Sequence, residues 1–247
     1  MSVTVWLVLA LAALLVGISK TAIAGVATVS VALYAAVLPA KESTGALLLL
    51  LLVGDVVAVS SYWRQADWRL LSRLMAPVVA GVLVGAVFLS RVDDAVMRRT
   101  IGGVLLALLA VHLVRMAAAR RRVRLAPAAD APRGLGLLYG SLAGFTTMVA
   151  NSGGPVMNLY LLSVRVDKLR FLGTTACFFF AVNLFKVPFS VGLGLIHADA
   201  LRTAAVLAPV VLLGTWIGRA IVRRVDQARF EWLVLAFTLV ASLNLLR

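Results

Sequence analysis

Gly144-Phe145-Thr146-Thr147-Met148-Val149-Ala150-Asn151-Ser152-Gly153-Gly154-Pro155 lies in the middle of an apolar region, residues 134–164. Aliphatic and aromatic residues flank a polar turn that carries two glycines and a proline. A helix that crosses a hydrocarbon core of about 30 Å needs roughly 20 consecutive apolar residues, and this region breaks before that length is reached. It reads as two short helical pieces around a polar, glycine-bearing break. Residues 2–37 repeat the pattern, with Gly17-Ile18-Ser19-Lys20-Thr21, followed by Gly25, as the interruption.

Uninterrupted apolar spans fill most of the remaining chain, at approximately 43–62, 69–90, 95–115, 170–194, 200–221 and 227–246. Of the 247 residues, 62% are hydrophobic and only 14% charged, and the mean hydropathy is +1.03. A soluble domain is closer to half apolar and a quarter charged, so a soluble enzyme is excluded. The same figures exclude disorder. The apolar N-terminus, Met1 to Val16, lacks a basic leading segment, and apolar sequence continues past Ala10-Leu11-Ala12; it reads as a retained helix. Cys177 is the single cysteine. It rules out an intrachain disulfide framework and reads as a small buried residue.

The net charge of +14 suggests nucleic acid in a soluble chain, but in one this apolar it reads as topology. Basic residues mark cytoplasmic helix ends and face anionic lipid, so membrane lipids are expected partners and nucleic acid is not. The longest polar stretch, 115–133, holds six arginines and is expected to be a cytoplasmic linker. The chain divides into a first transmembrane repeat at 1–115, an Arg-rich linker at 116–133 and a second repeat at 134–247.

Ordered matches between the halves support a repeat. Gly17-Ile18-Ser19-Lys20-Thr21 precedes Gly144-Phe145-Thr146-Thr147-Met148 by 127 residues, and Gly25 and Asp55 precede Gly153 and Asn183 by 128. Ala76-Pro77-Val78-Val79 precedes Ala208-Pro209-Val210-Val211 by 132; Gly81, Gly85 and Arg91-Val92-Asp93 precede Gly214, Gly218 and Arg224-Val225-Asp226 by 133. With the linker inside, the loop carrying Arg64, Arg69 and Arg73 is inside as well. Placing Arg165, Lys168 and Arg170, and Arg219, Arg223, Arg224 and Arg229, inside requires each broken region to cross an even number of times or to form a re-entrant hairpin. The halves are then inverted. Arg91, Arg98 and Arg99 dissent. The expected fold is an all-α polytopic membrane protein of 8–10 segments, in two inverted halves with interrupted helices.

Inverted repeats with broken helices are a transporter architecture. Irregular backbone at membrane depth is tolerated where it lines protein or a water-filled cavity, and half-helix N-termini direct N–H groups and partial positive charge at an anion. The candidate substrate-binding residues are Ser19, Lys20, Thr21, Gly25, Thr146, Thr147, Asn151, Ser152, Gly153, Gly154, Asn183 and Lys186. Lys20 is an ammonium in an otherwise uncharged run from Met1 to Ala40, where burial is costly unless it faces a cavity or a partner. Pro155 suits the first turn of a following helix. Asp55, the candidate coupling residue, pairs with Lys20, takes part in proton coupling or caps a buried polar cluster. Lys186 follows Asn183 by three on the same helical face; it is either a second anion contact or a side chain that snorkels to the surface. Gly81/Gly85 and Gly214/Gly218 read as close-packing glycines.

These motifs resemble the sulfite exporter TauE/SafE family, also called sulfonate uptake permeases, over nearly the whole chain. The resemblance rests on Gly-x-x-Lys-Thr at 17–21, on the 144–155 stretch, and on Asn183-Leu184-Phe185-Lys186-Val187-Pro188-Phe189. Ala24-Gly25-Val26 stands where many members carry a glycine triplet. The resemblance implies a transporter of sulfite, sulfonates or related sulfur-containing anions in the bacterial inner membrane, with a homodimer as a candidate assembly. An anion channel or a membrane subunit of a larger assembly is the alternative. An enzyme is not expected: His-Glu-x-x-His, Gly-x-Ser-x-Gly and paired intramembrane aspartates are lacking, and the two histidines, His112 and His197, lie near helix ends. No cofactor or metal is expected.

Overall fold

The computed structural model describes residues 2–22, 26–38, 40–91 and 133–226, with isolated positions at 93, 96, 110, 114, 229, 232, 233 and 236. Within them the chain is helical throughout: α1 Val3–Thr21, α2 Ala27–Val37, α3 Ala40–Tyr62, a short 3-10 turn Trp63–Gln65, α4 Trp68–Leu89, α5 Arg133–Ala150, α6 Gly153–Ser163, α7 Lys168–Gly192 and α8 Ala198–Arg224. Five helices are long and apolar enough to cross a membrane: α1, α3, α4, α7 and α8. The chain is a multi-pass membrane protein. The linker 116–132 and, apart from those isolated positions, the expected spans 95–115 and 227–246 lie outside the described residues.

Helix boundaries follow local chemistry. Asp67 caps α4 by accepting from the N–H groups of Arg69 and Leu70, at 3.1 and 3.0 Å, and Asp167 caps α7 from Leu169 and Arg170, both at 3.1 Å. Short polar acceptors of this kind satisfy the donors that a helix start leaves unpaired. The stretches expected as breaks are helical: Gly17–Thr21 is the end of α1 and Thr146–Ala150 the end of α5. Turn residues are Ala22 and Val26, past the first stretch, and Asn151-Ser152 follow α5 within the second. A Thr or Ser side chain can bond to its own helix backbone, so hydroxyls alone do not end a membrane helix. Asn151 ends α5 by adopting φ +50, a left-handed conformation that asparagine tolerates better than most residues.

The helices interlock across the two halves of the sequence. Gly17 and Gly214 lie at the crossing of α1 and α8: a Cβ on Gly17 would meet the Val211 carbonyl oxygen, and one on Gly214 the Leu14 carbonyl oxygen. Gly81 and Gly144 do the same where α4 crosses α5, against the carbonyl oxygens of Ser141 and Val78 respectively. Glycine at such crossings lets backbones approach closely, where lipid supplies no hydrophobic drive for association. α3 and α7 lie against each other, with Gly45 seated on the Leu195 backbone just past α7 and Gly173 on the Tyr62 backbone at the end of α3.

Contacts along the helices give their directions. α1 runs parallel to α8, from Leu14 beside Gly214 to Ile18 beside Gly218. α3 also runs parallel to α8, from Gly54 beside Val211 to Ser61 accepting from Arg219 Nη1. α7 runs antiparallel to α3. α5 runs parallel to α4, from Gly140 beside Pro77 to Met148 beside Gly85. α4 and α7 start at the same face, because Asp67 pairs with Arg170 and its N–H donates to Thr174 Oγ1 at 2.9 Å. α2 turns back along α1, and Ser30 Oγ donates to the Ala12 carbonyl at 2.9 Å.

Outward-facing side chains on α4 and α8 are apolar, among them Leu83, Val84, Val87, Val206, Leu212, Leu213 and Trp216, as a lipid-facing surface requires. The face where α3 and α8 end and α4 and α7 begin carries Arg64, Arg69, Arg73, Arg165, Lys168, Arg170, Arg219, Arg223 and Arg224. Lys168 Nζ donates there to the carbonyls of Val222 and Val225, at 3.1 and 2.6 Å, satisfying acceptors that the end of α8 leaves open. Exposed Trp63 and Trp68 sit at the same level, where an interfacial aromatic belt is expected.

The glycine crossings give a direct test. Gly144→Ala and Gly214→Ala each place a methyl group against a backbone carbonyl and are expected to cost about 1–3 kcal/mol, lowering the unfolding temperature in detergent. Gly192→Ala, where a Cβ would have nothing within 4 Å, is expected to leave it unchanged. Equal effects at all three positions would refute the close approach.

Candidate functional site

A cavity of about 40 Å³ lies inside the bundle, lined by Ser19, Lys20, Ala27, Leu51, Thr147, Asn151, Gly154, Pro155, Thr175, Ala176, Phe179 and Asn183. It holds about three water-sized volumes. Six elements meet there: the end of α1, the start of α2, the middle of α3, the end of α5 with its turn, the start of α6, and α7.

Two helix starts face the cavity. Ala27 opens α2, and Gly154 and Pro155 belong to the first turn of α6. Neither start has a side-chain cap: Val26 cannot supply one, and the Ser152 hydroxyl donates back to the Ala150 carbonyl at 3.0 Å. Helix starts leave their first N–H groups without an intrahelical partner; here the Val29 N–H is taken by the Val26 carbonyl and Pro155 carries none, and the helix dipole adds partial positive charge at each start. An uncapped helix start with glycines that admit close approach is a natural site for an anion.

The ammonium of Lys20 reaches the cavity from the last turn of α1. It pairs with Asp55 Oδ1 at 2.6 Å and lies 4.9 Å from the centroid of the Phe179 ring, a cation–π distance. Asp55 is wholly buried on α3. Its second oxygen accepts from Asn183 Nδ2 at 2.7 Å. Asn183 Oδ1 in turn accepts from Lys186 Nζ at 3.4 Å, and the same ammonium donates to Thr147 Oγ1 at 3.4 Å and Asn151 Oδ1 at 2.6 Å. Asn151 Nδ2 closes the chain on the Thr44 carbonyl at 3.0 Å. A continuous polar network thus links α1, α3, α7 and the α5–α6 turn.

Of the sequence candidates, Ser19, Lys20, Thr147, Asn151, Gly154 and Asn183 line the cavity together. Lys186 is buried behind that wall, with its ammonium directed to Thr147, Asn151 and Asn183, and it does not extend to the surface. Thr21, Thr146 and Ser152 spend their hydroxyls on backbone: Thr21 on the carbonyls of Gly17 and Thr215, Thr146 on Leu142, and Ser152 on Ala150. Gly153 packs against Thr147 and Ala143. Gly25 lies outside the described residues. Cys177 is a free, buried thiol.

The sequence reading missed Thr175 and Phe179. With Asn183 they recur every four residues along α7 and share one helical face. Thr175 Oγ1 is buried without a hydrogen-bond partner, on a side chain that lines the cavity. A buried hydroxyl left unpaired is costly, and here it offers a ligand both a donor and an acceptor. Among the described residues no group of His, Cys, Asp and Glu is placed to hold a metal ion.

The ion pair predicts a thermodynamic cycle. Asp55→Leu leaves the Lys20 ammonium buried without its partner and is expected to cost about 3–5 kcal/mol. The double variant Asp55→Leu/Lys20→Met is expected to recover most of that loss in thermal unfolding followed by intrinsic fluorescence. Additive losses would show that the two side chains are not coupled.

The model of one protein family, described as sulfite exporter TauE/SafE, matches residues 9–245. No curated protein and no solved structure matches the chain. The matched range covers every element that builds the cavity, together with the motifs at 17–21, 144–155 and 183–189, and the chain belongs to the sulfite exporter TauE/SafE family.

Proposed function

We propose that the protein is a secondary transporter that moves small sulfur-containing anions, sulfite or sulfonates, across a bacterial inner membrane by alternating access. One observation carries the reading. The cavity combines a lysine ammonium, an unpartnered threonine hydroxyl and the uncapped starts of two helices. Each of these is complementary to an oxyanion. The cavity's modest volume favours a small anion, and family membership supports a sulfur-containing one.

Alternating access is supported by the arrangement of the halves. Helices matched by the repeat spacing run in opposite directions: α1 against α5, α3 against α7, and α4 against α8. Contacts also come in matched sets. Gly17 meets Gly214 as Gly144 meets Gly81, and Gly45 meets the α7–α8 connection as Gly173 meets the α3–α4 connection. Asp55 and Asn183, which are 128 residues apart, bond to each other. These features fit two inverted halves wound about a pseudo-two-fold axis, an arrangement in which each half can adopt the other's conformation. The arginine-rich face is the cytoplasmic one by the positive-inside rule, against anionic lipid headgroups.

Sulfite flux into proteoliposomes tests the reading. Lys20→Gln is expected to reduce flux to background while the purified protein keeps its helical content and elution volume. Wild-type flux from that variant would remove the proposed site. Preloading vesicles with unlabelled substrate is expected to accelerate labelled uptake, as counterflow by a carrier does. Flux indifferent to preloading would favour the channel alternative.

A further inference from the structure

The charges around the cavity do not cancel. Among the described residues, the charged side chains gathered at it are Asp55 and Lys186, both buried, and Lys20, whose side chain is 8% exposed. The other buried carboxylate, Asp67, is paired with Arg170 at the arginine-rich face and belongs to a separate group. Lys20 and Asp55 form an ion pair and offset each other. Among the described residues, Lys186 donates to neutral oxygens: the Thr147 hydroxyl and the carbonyl ends of Asn151 and Asn183.

The orientations of both amides agree with a charged Lys186. Asn183 gives its amide nitrogen to Asp55 and Asn151 gives its own to the Thr44 carbonyl, so both turn their oxygens to Lys186. Three acceptors around a group with three donors and no lone pair is the arrangement that an ammonium needs. With Lys186 protonated, the described side chains of the cluster carry two cations and one anion, a net charge of +1 held away from water.

We infer that this surplus charge makes the site select monovalent anions over divalent anions of the same shape, with Lys186 as the residue that sets the preference. The inference rests on the anion-transport reading of the cavity. An empty site holds +1 in a low-dielectric interior, where uncompensated charge is strongly disfavoured. A monoanion brings the total to zero. A dianion overshoots to −1 and restores an uncompensated charge of the opposite sign. Lys186 acts from behind the wall, through Asn151 and Asn183, and need not touch the ligand.

Methanesulfonate and sulfate separate charge from shape, since a methyl group replaces one oxygen on the same tetrahedral frame. Calorimetric titration of the purified full-length protein at matched ionic strength is expected to show methanesulfonate binding at least about tenfold tighter than sulfate. Asp55→Asn raises the net charge to +2 and is expected to move the preference toward sulfate by at least about tenfold. Lys186→Gln lowers the charge to zero and is expected to weaken methanesulfonate without strengthening sulfate. Equal affinities in the wild type, or a preference that neither substitution moves, would overturn the charge rule and leave the anion site standing. Failure of both ions to bind the wild type would overturn the anion site itself, and the charge rule with it. The wild-type comparison decides the matter even where a variant does not fold.

Discussion

The Asp55 carboxylate sits in a place where water cannot reach it, and a buried carboxylate must be both paired and hydrogen-bonded to persist there. Satisfying it accounts for much of the arrangement around the cavity. Lys20 comes to one oxygen from the end of α1, and Asn183 comes to the other from α7. With its nitrogen committed, Asn183 can offer only an oxygen on its other side, and Lys186 takes it. Lys186 then fixes Asn151, whose nitrogen is left for α3. Each member has its partner because the previous one is already oriented. Such a network is worth most when complete, since a single missing partner leaves the next group buried and unpaired.

That network forms only because the helices approach closely enough for short side chains to meet. Gly54, immediately before Asp55, leaves room for the stem of Lys20: a Cβ there would stand 2.9 Å from Lys20 Cγ. The crossings at Gly17 with Gly214 and at Gly81 with Gly144 bring the first helix of each half against the other half's helix. Close packing and the polar cluster are therefore one design problem. The glycines remove side-chain volume where backbones cross, and the polar side chains use the resulting proximity.

The apolar spans within the described residues were legible in the sequence because each depends on composition over many residues. Lys20 and Asp55 stood out as charges in uncharged runs, and the structure joins them. The partners of Lys186 were not legible, because they come from three separate elements and from amide orientations that no spacing encodes. The end of α1 lies past the polar stretch at 17–21, since the Thr21 hydroxyl bonds back to the Gly17 carbonyl and Lys20 turns to Asp55, and neither breaks the helix. Thr175 and Phe179 were hidden differently. Each is ordinary in a membrane helix, and only the shared face with Asn183 marks them, after α7 has been set against the cavity. The spans 95–115 and 227–246 fall, but for isolated positions, beyond the described residues, so their reading still rests on apolar length.

The sharpest feature of the site is the contrast between residues at similar offsets along the chain. Asp55 precedes Asn183 by 128 residues and Lys20 precedes Thr147 by 127, and in each pair the earlier residue holds the charge. A carboxylate at 183 would put two like charges within hydrogen-bonding distance and force one of them to take up a proton. It would also be unable to donate to Asp55 while accepting from Lys186. An amide does both, because it carries donors on one atom and lone pairs on the other. Asparagine at 183 thus answers Asp55 with a neutral side chain of the same size, and among the described residues Lys186 is left with neutral oxygens and no carboxylate beside it.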